Sequence, residues 1–154
     1  LDLEMPDKKN LTLSDCFNSY CGTEKMEGEN MWYNEKTKQK EVVSKGILFW
    51  SLPNILVVNL KRFDNRNVNK KQDYVDIPFN IDLSEYVIGY KRPSYKYDLY
   101  GVCNHSGGVM GGHYTANVKR ENGKWYNYND TNVKVISEKR VITPEAYCLF
   151  FKKQ

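Results

Sequence analysis

The chain has 154 residues with a formal net charge of +4 and a pI near 8.8, enough for one domain and too mildly basic to mark a nucleic-acid groove. It is 40% hydrophobic and 14% aromatic, with twelve tyrosines, which supplies a real core. No apolar run reaches the ~18 residues of a membrane span, and four cysteines without a CxxC pair, beside only two histidines, argue against structural zinc, so no metal and no cofactor is expected.

Residues 1–10 are polar with a proline and read as a strand or loop. Thr12 reads as a helix N-cap with Asp15 at the third helical position, and Leu13, Cys16, Phe17 and Tyr20 share one helical face. Gly22 is a natural C-terminal stop. Residues 23–45 are polar apart from Met31, Trp32 and Tyr33, and read as two short strands about a turn near Lys36. Residues 42–43 and 47–50 are strand-like, and Pro53 interrupts them. The nearly continuous apolar run 55–60 predicts a strand buried on both faces. Residues 64–73 are too polar to pack and predict a surface loop.

Extended structure resumes at 77–83, with a helical turn at 84–87 and a break at 91–94. From Tyr97 the pattern is that of an antiparallel sheet: a strand at 97–103, a glycine-rich loop at 104–112 and a strand at 114–118. Asn122-Gly123 is a hairpin signal, followed by strands at 125–128 and 133–136. A helical start at Thr143-Pro144-Glu145 and a closing strand at 146–151 complete an α+β chain dominated by antiparallel strands.

The chemistry concentrates in the last third. His113 stands where a glycine-rich loop enters a strand, behind Gly111 and Gly112, whose missing Cβ atoms allow close approach of another backbone. The Asn-Gly hairpin returns the chain through Trp125-Tyr126-Asn127-Tyr128-Asn129-Asp130, so Asn129 or Asp130 can approach His113. A histidine base with an amide or carboxylate fixing its tautomer is the logic of an activated nucleophile. The plainer alternative is a surface histidine beside a capping aspartate.

Three blocks, in order and spacing, carry a resemblance. Leu52-Pro53-Asn54-Ile55-Leu56-Val57-Val58-Asn59-Leu60-Lys61-Arg62-Phe63, the stretch Tyr97 to Ala116 with its Gly111-Gly112-His113-Tyr114, and Trp125 to Asp130 resemble the C-terminal half of the ubiquitin-specific proteases, a family of thiol proteases with a papain-like fold. The resemblance implies a deubiquitinase whose general base is His113, whose orienting residue is Asn129 and whose supporting acid is Asp130. It also implies contact with ubiquitin at Phe63, His105, Gly111, Gly112 and Tyr114, with His105 in a loop that moves over the ubiquitin tail.

It divides the chain into a helix and fingers-like strands over about 1–50 and a palm-like sheet over about 51–154. The family's cysteine box has no counterpart here, so the chain is expected to depend on an N-terminal half and to be inactive alone. The start at Leu1 fits a fragment. Asn34 and Thr37 stand where many members carry a zinc-binding Cys-x-x-Cys pair, so that clamp is expected to be lost. Ubiquitin or ubiquitinated proteins are the expected partners, and a non-catalytic ubiquitin-binding module is the alternative. Sequons at Asn104 and Asn129 flank the expected site, where a glycan would block it; that favours a cytoplasmic or nuclear location.

Overall fold

The computed structural model describes residues 1–64, 67–90 and 94–154, with backbone alone at 64, 67 and 68. In chain order the strands and the α-helix are β1 (Asp2–Glu4), α1 (Leu13–Cys21), β2 (Glu24–Met26), β3 (Trp32–Asn34), β4 (Gln39–Glu41) and β5 (Val43–Lys45). There follow β6 (Ile55–Lys61), β7 (Phe63–Asp64), β8 (Asn67–Lys70), β9 (Asn80–Asp82), β10 (Lys96–Gly108), β11 (Gly111–Lys119), β12 (Trp125–Asn129), β13 (Asn132–Ile136) and β14 (Ala146–Lys153). Among the described residues no helix is long and apolar enough to cross a membrane.

One eight-stranded sheet organises the molecule, in the order β1-β6-β14-β10-β11-β12-β13, with β9 also on β10. All its pairings are antiparallel except β1 with β6, which places Leu3 opposite Leu60. One face of the sheet is covered. Leu56, Val58 and Leu60 from β6, Leu149 and Phe151 from β14, and Leu99 and Val102 from β10 are buried there. The cover is α1 and the segment around it: Leu13, Cys16 and Phe17 are buried, and Phe17 stacks on Tyr86 at 5.7 Å between ring centroids.

The start of α1 is fixed by its own side chains. Thr12 Oγ1 accepts from the Asp15 backbone N–H, and the Asp15 carboxylate accepts from the Thr12 N–H at 3.0 Å, a reciprocal capping box. Gly22 ends the helix for a reason other than a left-handed turn, since its φ is −60°. A Cβ there would stand 2.9 Å from the Asn18 carbonyl oxygen, so the glycine answers to close backbone approach.

Several expectations change. The run 55–60 is buried on one face only: Leu56, Val58 and Leu60 are covered while Ile55 and Val57 are 45% and 37% exposed. Because alternate side chains leave opposite faces of a strand, apolar character on both faces does not imply cover on both. Residues 47–50 form no strand; Ile47, Leu48 and Trp50 are exposed and only Phe49 bridges, to Val87. Residues 143–145 are a turn closed by Ala146 N–H donating to Thr143 O, and the short 3-10 helix lies earlier, at Glu138–Arg140.

The expected polar loop at 64–73 instead holds β8, paired with β7; residues 65 and 66 lie outside the described residues, as do 91–93 from the expected break at 91–94.

The β3–β4 hairpin turns over residues 35–38, with Lys38 at φ 56°. Its clamp is polar. Asn34 Nδ2 donates to both Glu41 carboxylate oxygens at 3.0–3.1 Å, and Thr37 Oγ1 donates to Glu41 Oε1 at 2.6 Å. These hydrogen bonds hold the Glu41 carboxyl below its ordinary range.

Candidate active site

His113 lies on β11 and Asn129 is the last residue of β12, its antiparallel neighbour. The register Ala116↔Tyr128, Asn117↔Asn127, Val118↔Tyr126 brings them to the same end of the ribbon. The Asn122-Gly123 turn sets that register: Gly123 takes φ 75°, and Asn122 Oδ1 accepts from the Lys124 N–H. An amide pair, buried Asn117 and half-buried Asn127, holds it. Asn127 Nδ2 donates to Asn117 Oδ1 at 2.8 Å, and Asn117 Nδ2 donates to the Val141 carbonyl at 2.9 Å.

His113 Nε2 and Asn129 Oδ1 are 2.7 Å apart. An amide oxygen only accepts, so Nε2 carries the hydrogen and the lone pair is on Nδ1. Asp130 follows at φ 50°, a left-handed conformation that aspartate tolerates, and its Oδ2 stands 4.0 Å from Nε2. The carboxylate therefore sits near the ring without a hydrogen bond to it, and Asn129 holds the nearer position. The His113 side chain is 47% exposed and Asp130 76%, so the imidazole is fixed on one edge and open on the other.

His105 is not in a loop. Strands β10 and β11 stay paired to Gly108↔Gly111, and the turn is only Val109 and Met110, which are 56% and 95% exposed. Glycines read from sequence as a loop complete the ladder here, because backbone pairing needs no side chain. His105 faces Tyr114 across the ladder and His113 faces Ser106, so the two imidazoles leave opposite faces of the ribbon.

His105 is 4% exposed. Its ring lies against Tyr114 (4.6 Å), Phe63 (5.7 Å) and Tyr147 (5.8 Å). Burial, then the charge of Lys70, lowers its pKa and favours the neutral ring. Lys70 Nζ donates to the His105 carbonyl.

The two glycines before His113 differ in use. A Cβ on Gly112 would stand 2.3 Å from His105 Nε2 and 2.3 Å from Ser106 O, whereas one on Gly111 would meet nothing within 4 Å. Gly112 thus seats the buried histidine, and Gly111 leaves backbone open at the surface. Phe63, His105, Gly112 and Tyr114 come together on one face, with His113, Asn129 and Asp130 at the other. Tyr147 and Lys70 complete the first group. Tyr147 is one of many tyrosines and Lys70 lies in a polar stretch, so no sequence signal marked them.

All four cysteines are free, and burial raises every thiol, Cys16 to about 11. None has the lowered pKa of an activated nucleophile.

The family model described as ubiquitin carboxyl-terminal hydrolase matches residues 8–151. The chain belongs to this family. It is 39% identical over 158 residues to bovine ubiquitin carboxyl-terminal hydrolase 15, covering 100% of this chain and 17% of the relative. It is 38% identical over 151 residues to ubiquitin carboxyl-terminal hydrolase 8 of Arabidopsis thaliana, covering 95% of this chain and 17% of the relative. The chain thus spans about a sixth of the length of these relatives.

Among solved structures it is similar to a chain of the SAGA DUB module Ubp8/Sgf11/Sus1/Sgf73 bound to ubiquitin aldehyde, with TM-score 0.82 and 27% identity. That match covers 99% of this chain and 35% of the other. A form of that module bound to monoubiquitin gives TM-score 0.85 and 29% identity, with 99% and 34% covered. The fold is therefore that of part of a ubiquitin-specific protease catalytic domain, and the sheet with its few helices agrees with the C-terminal half of one.

Proposed function

We propose that this hydrolase-family chain supplies the general base of a deubiquitinase and not its nucleophile. The observation that carries the reading is the 2.7 Å contact between His113 Nε2 and Asn129 Oδ1, which commits one ring nitrogen and frees Nδ1. Nδ1 accepts the proton of a cysteine thiol brought by an N-terminal half of the domain. The thiolate attacks the carbonyl carbon at the ubiquitin C-terminus, and the protonated ring returns its proton to the leaving amine. A thiol ester remains. Nδ1 then takes a proton from water, the hydroxide attacks the ester, and the ring gives that proton to the departing cysteine sulfur, which restores the thiol and the neutral imidazole.

Asn129 orients the ring without charge, and Asp130 adds a nearby anion that favours the imidazolium formed in each step. Gly111 and Tyr114, which are exposed, border the path of the ubiquitin tail, and the buried His105, packed against Gly112 and Phe63, supports them from within. The solved relatives held with ubiquitin or its aldehyde support ubiquitin as the partner. The four raised thiols support an external nucleophile.

The test is intact mass after incubating this chain with ubiquitin bearing a thiol-reactive C-terminal electrophile. The expected result is no adduct from the chain alone. With the cysteine-bearing half supplied, turnover is expected to appear and to fall by about 10²–10⁴-fold or more in His113→Ala. An adduct on one of the present cysteines that disappears in His113→Ala would overturn the reading.

A further inference from the structure

One face of the sheet leaves Ile55 and Val57 of β6 exposed, and two cysteines meet on it. Cys103 of β10 and Cys148 of β14 are direct cross-strand partners. Opposed residues project from the same face, and Cys148 is also opposite Asn59, on the side of β6 that leaves Ile55 and Val57 exposed. Opposed Cα atoms in antiparallel strands lie ~4.5 or ~5.5 Å apart, inside the ~4.4–6.8 Å that a disulfide spans.

The ladder is irregular at this point. Register shifts between Cys103 and Asn104, and Tyr147 has no opposed partner. A bulge of this kind leaves one residue unpaired, interrupts the ladder and bends the strand beside the two cysteines. Both thiols are free and half-buried, so a small reagent can reach them. The other two cysteines have no such arrangement: Cys16 is fully buried under the sheet, and Cys21 ends α1.

We propose that Cys103 and Cys148 form a reversible cross-strand disulfide when the chain meets a small-molecule disulfide, and return to thiols when the corresponding thiol is in excess. One protein thiolate attacks the small disulfide, forming a mixed disulfide and releasing one small thiolate, which takes up the proton that the protein thiol lost. The second protein thiolate attacks the protein sulfur of that adduct. The cross-strand bond forms and a second small thiolate leaves and is protonated. Two protein thiols are oxidised and one small disulfide is reduced to two thiols.

Burial raises both thiols, and Cys103 raises Cys148 further, as closeness requires. Exchange is therefore slow near neutrality. The bond would tie the strand that continues into His105 to the strand that carries Tyr147, beneath the aromatic cluster. It follows from the sheet register and does not depend on the proposed catalytic role.

The experiment incubates the reduced 154-residue chain with excess oxidised glutathione, caps remaining thiols with iodoacetamide and maps peptides without reduction. The expected result is a linked pair of peptides holding Cys103 and Cys148, a mass loss of two hydrogen atoms, and full reversal by dithiothreitol. Cys103→Ser and Cys148→Ser are each expected to lose the link and to carry one glutathione adduct on the remaining partner. Wild-type chain in which both cysteines stay capped by iodoacetamide would overturn the proposal. So would stable adducts on both without a link, or links to Cys16, Cys21 or a second chain.

Discussion

At the scale of single residues, the candidate site rests on one amide and two glycines. Asn129 holds the hydrogen-bonding position to His113 and Asp130 stands at 4.0 Å. In the complete enzyme Asn129→Ala should lower kcat by about 10–10²-fold, less than His113→Ala, because the nearby carboxylate can swing to the ring. Asp130→Ala should cost less again, since no hydrogen bond is lost. Steady-state kinetics on the three variants checks the order, and a larger loss for Asp130→Ala would move the orienting role to the carboxylate.

The glycines give a paired prediction on stability. Gly112→Ala places a Cβ against His105 Nε2 and Ser106 O, and overpacking of this kind costs roughly 1–3 kcal/mol. Gly111→Ala meets open space and should leave Tm within about a degree of wild type, given the small effect of unconstrained surface changes. Calorimetry on both decides it. The sequence marked both glycines as allowing close approach. It did not show that the group approaching Gly112 is the protein's own buried histidine, because that contact depends on the β10–β11 register.

At the scale of elements, what could be read in advance was local. The capping box at Thr12 and Asp15, the turn near Lys36 and the Asn122-Gly123 hairpin are short-range devices whose geometry follows from adjacent side chains, and each is present. What could not be read depends on partners far along the chain: the open face of β6, the extension of β10 and β11 to a two-residue turn, and the β7–β8 pairing. The cap also predicts a pH dependence. Hydrogen bonds from Lys8 and Thr12 lower the Asp15 carboxyl from its ordinary 3.8 to about 2. A depressed folded pKa contributes stability that is present above the unfolded value and lost as pH falls through the folded one. Asp15→Asn should therefore lower Tm at pH 6, and the gap should close as pH falls from about 4 towards about 2. Thermal melts of both proteins across that range check it; a gap unchanged at pH 2 would show that the charge contributes nothing.

At the scale of the whole molecule, the antiparallel character was legible from alternation, but the strand order was not. Nothing local tells β1 to add in parallel beside β6, or β14 to insert between β6 and β10. One buried side chain joins those distant pieces. Arg62, just past β6, is fully buried; its Nε donates to the Ala146 carbonyl at the start of β14, and Nη1 donates to the carbonyls of Lys71 and Asp73. Burial lowers its pKa, yet an arginine stays charged at any ordinary pH, so the three carbonyls replace part of the water around a cation, on its Nε and Nη1 side. Removing it leaves those acceptors buried and opens a cavity the size of a long side chain. Arg62→Ala should cost about 3–5 kcal/mol, a large fraction of the roughly 5–15 kcal/mol that stabilises a domain. Arg62→Lys should recover part of it, because a single ammonium on a flexible stem can reach one or two of the three oxygens but cannot span all of them. Urea midpoints for both variants test the claim. A loss under about 1 kcal/mol in Arg62→Ala would mean that water enters and replaces the guanidinium, and that the sheet holds β6 and β14 together without this tie.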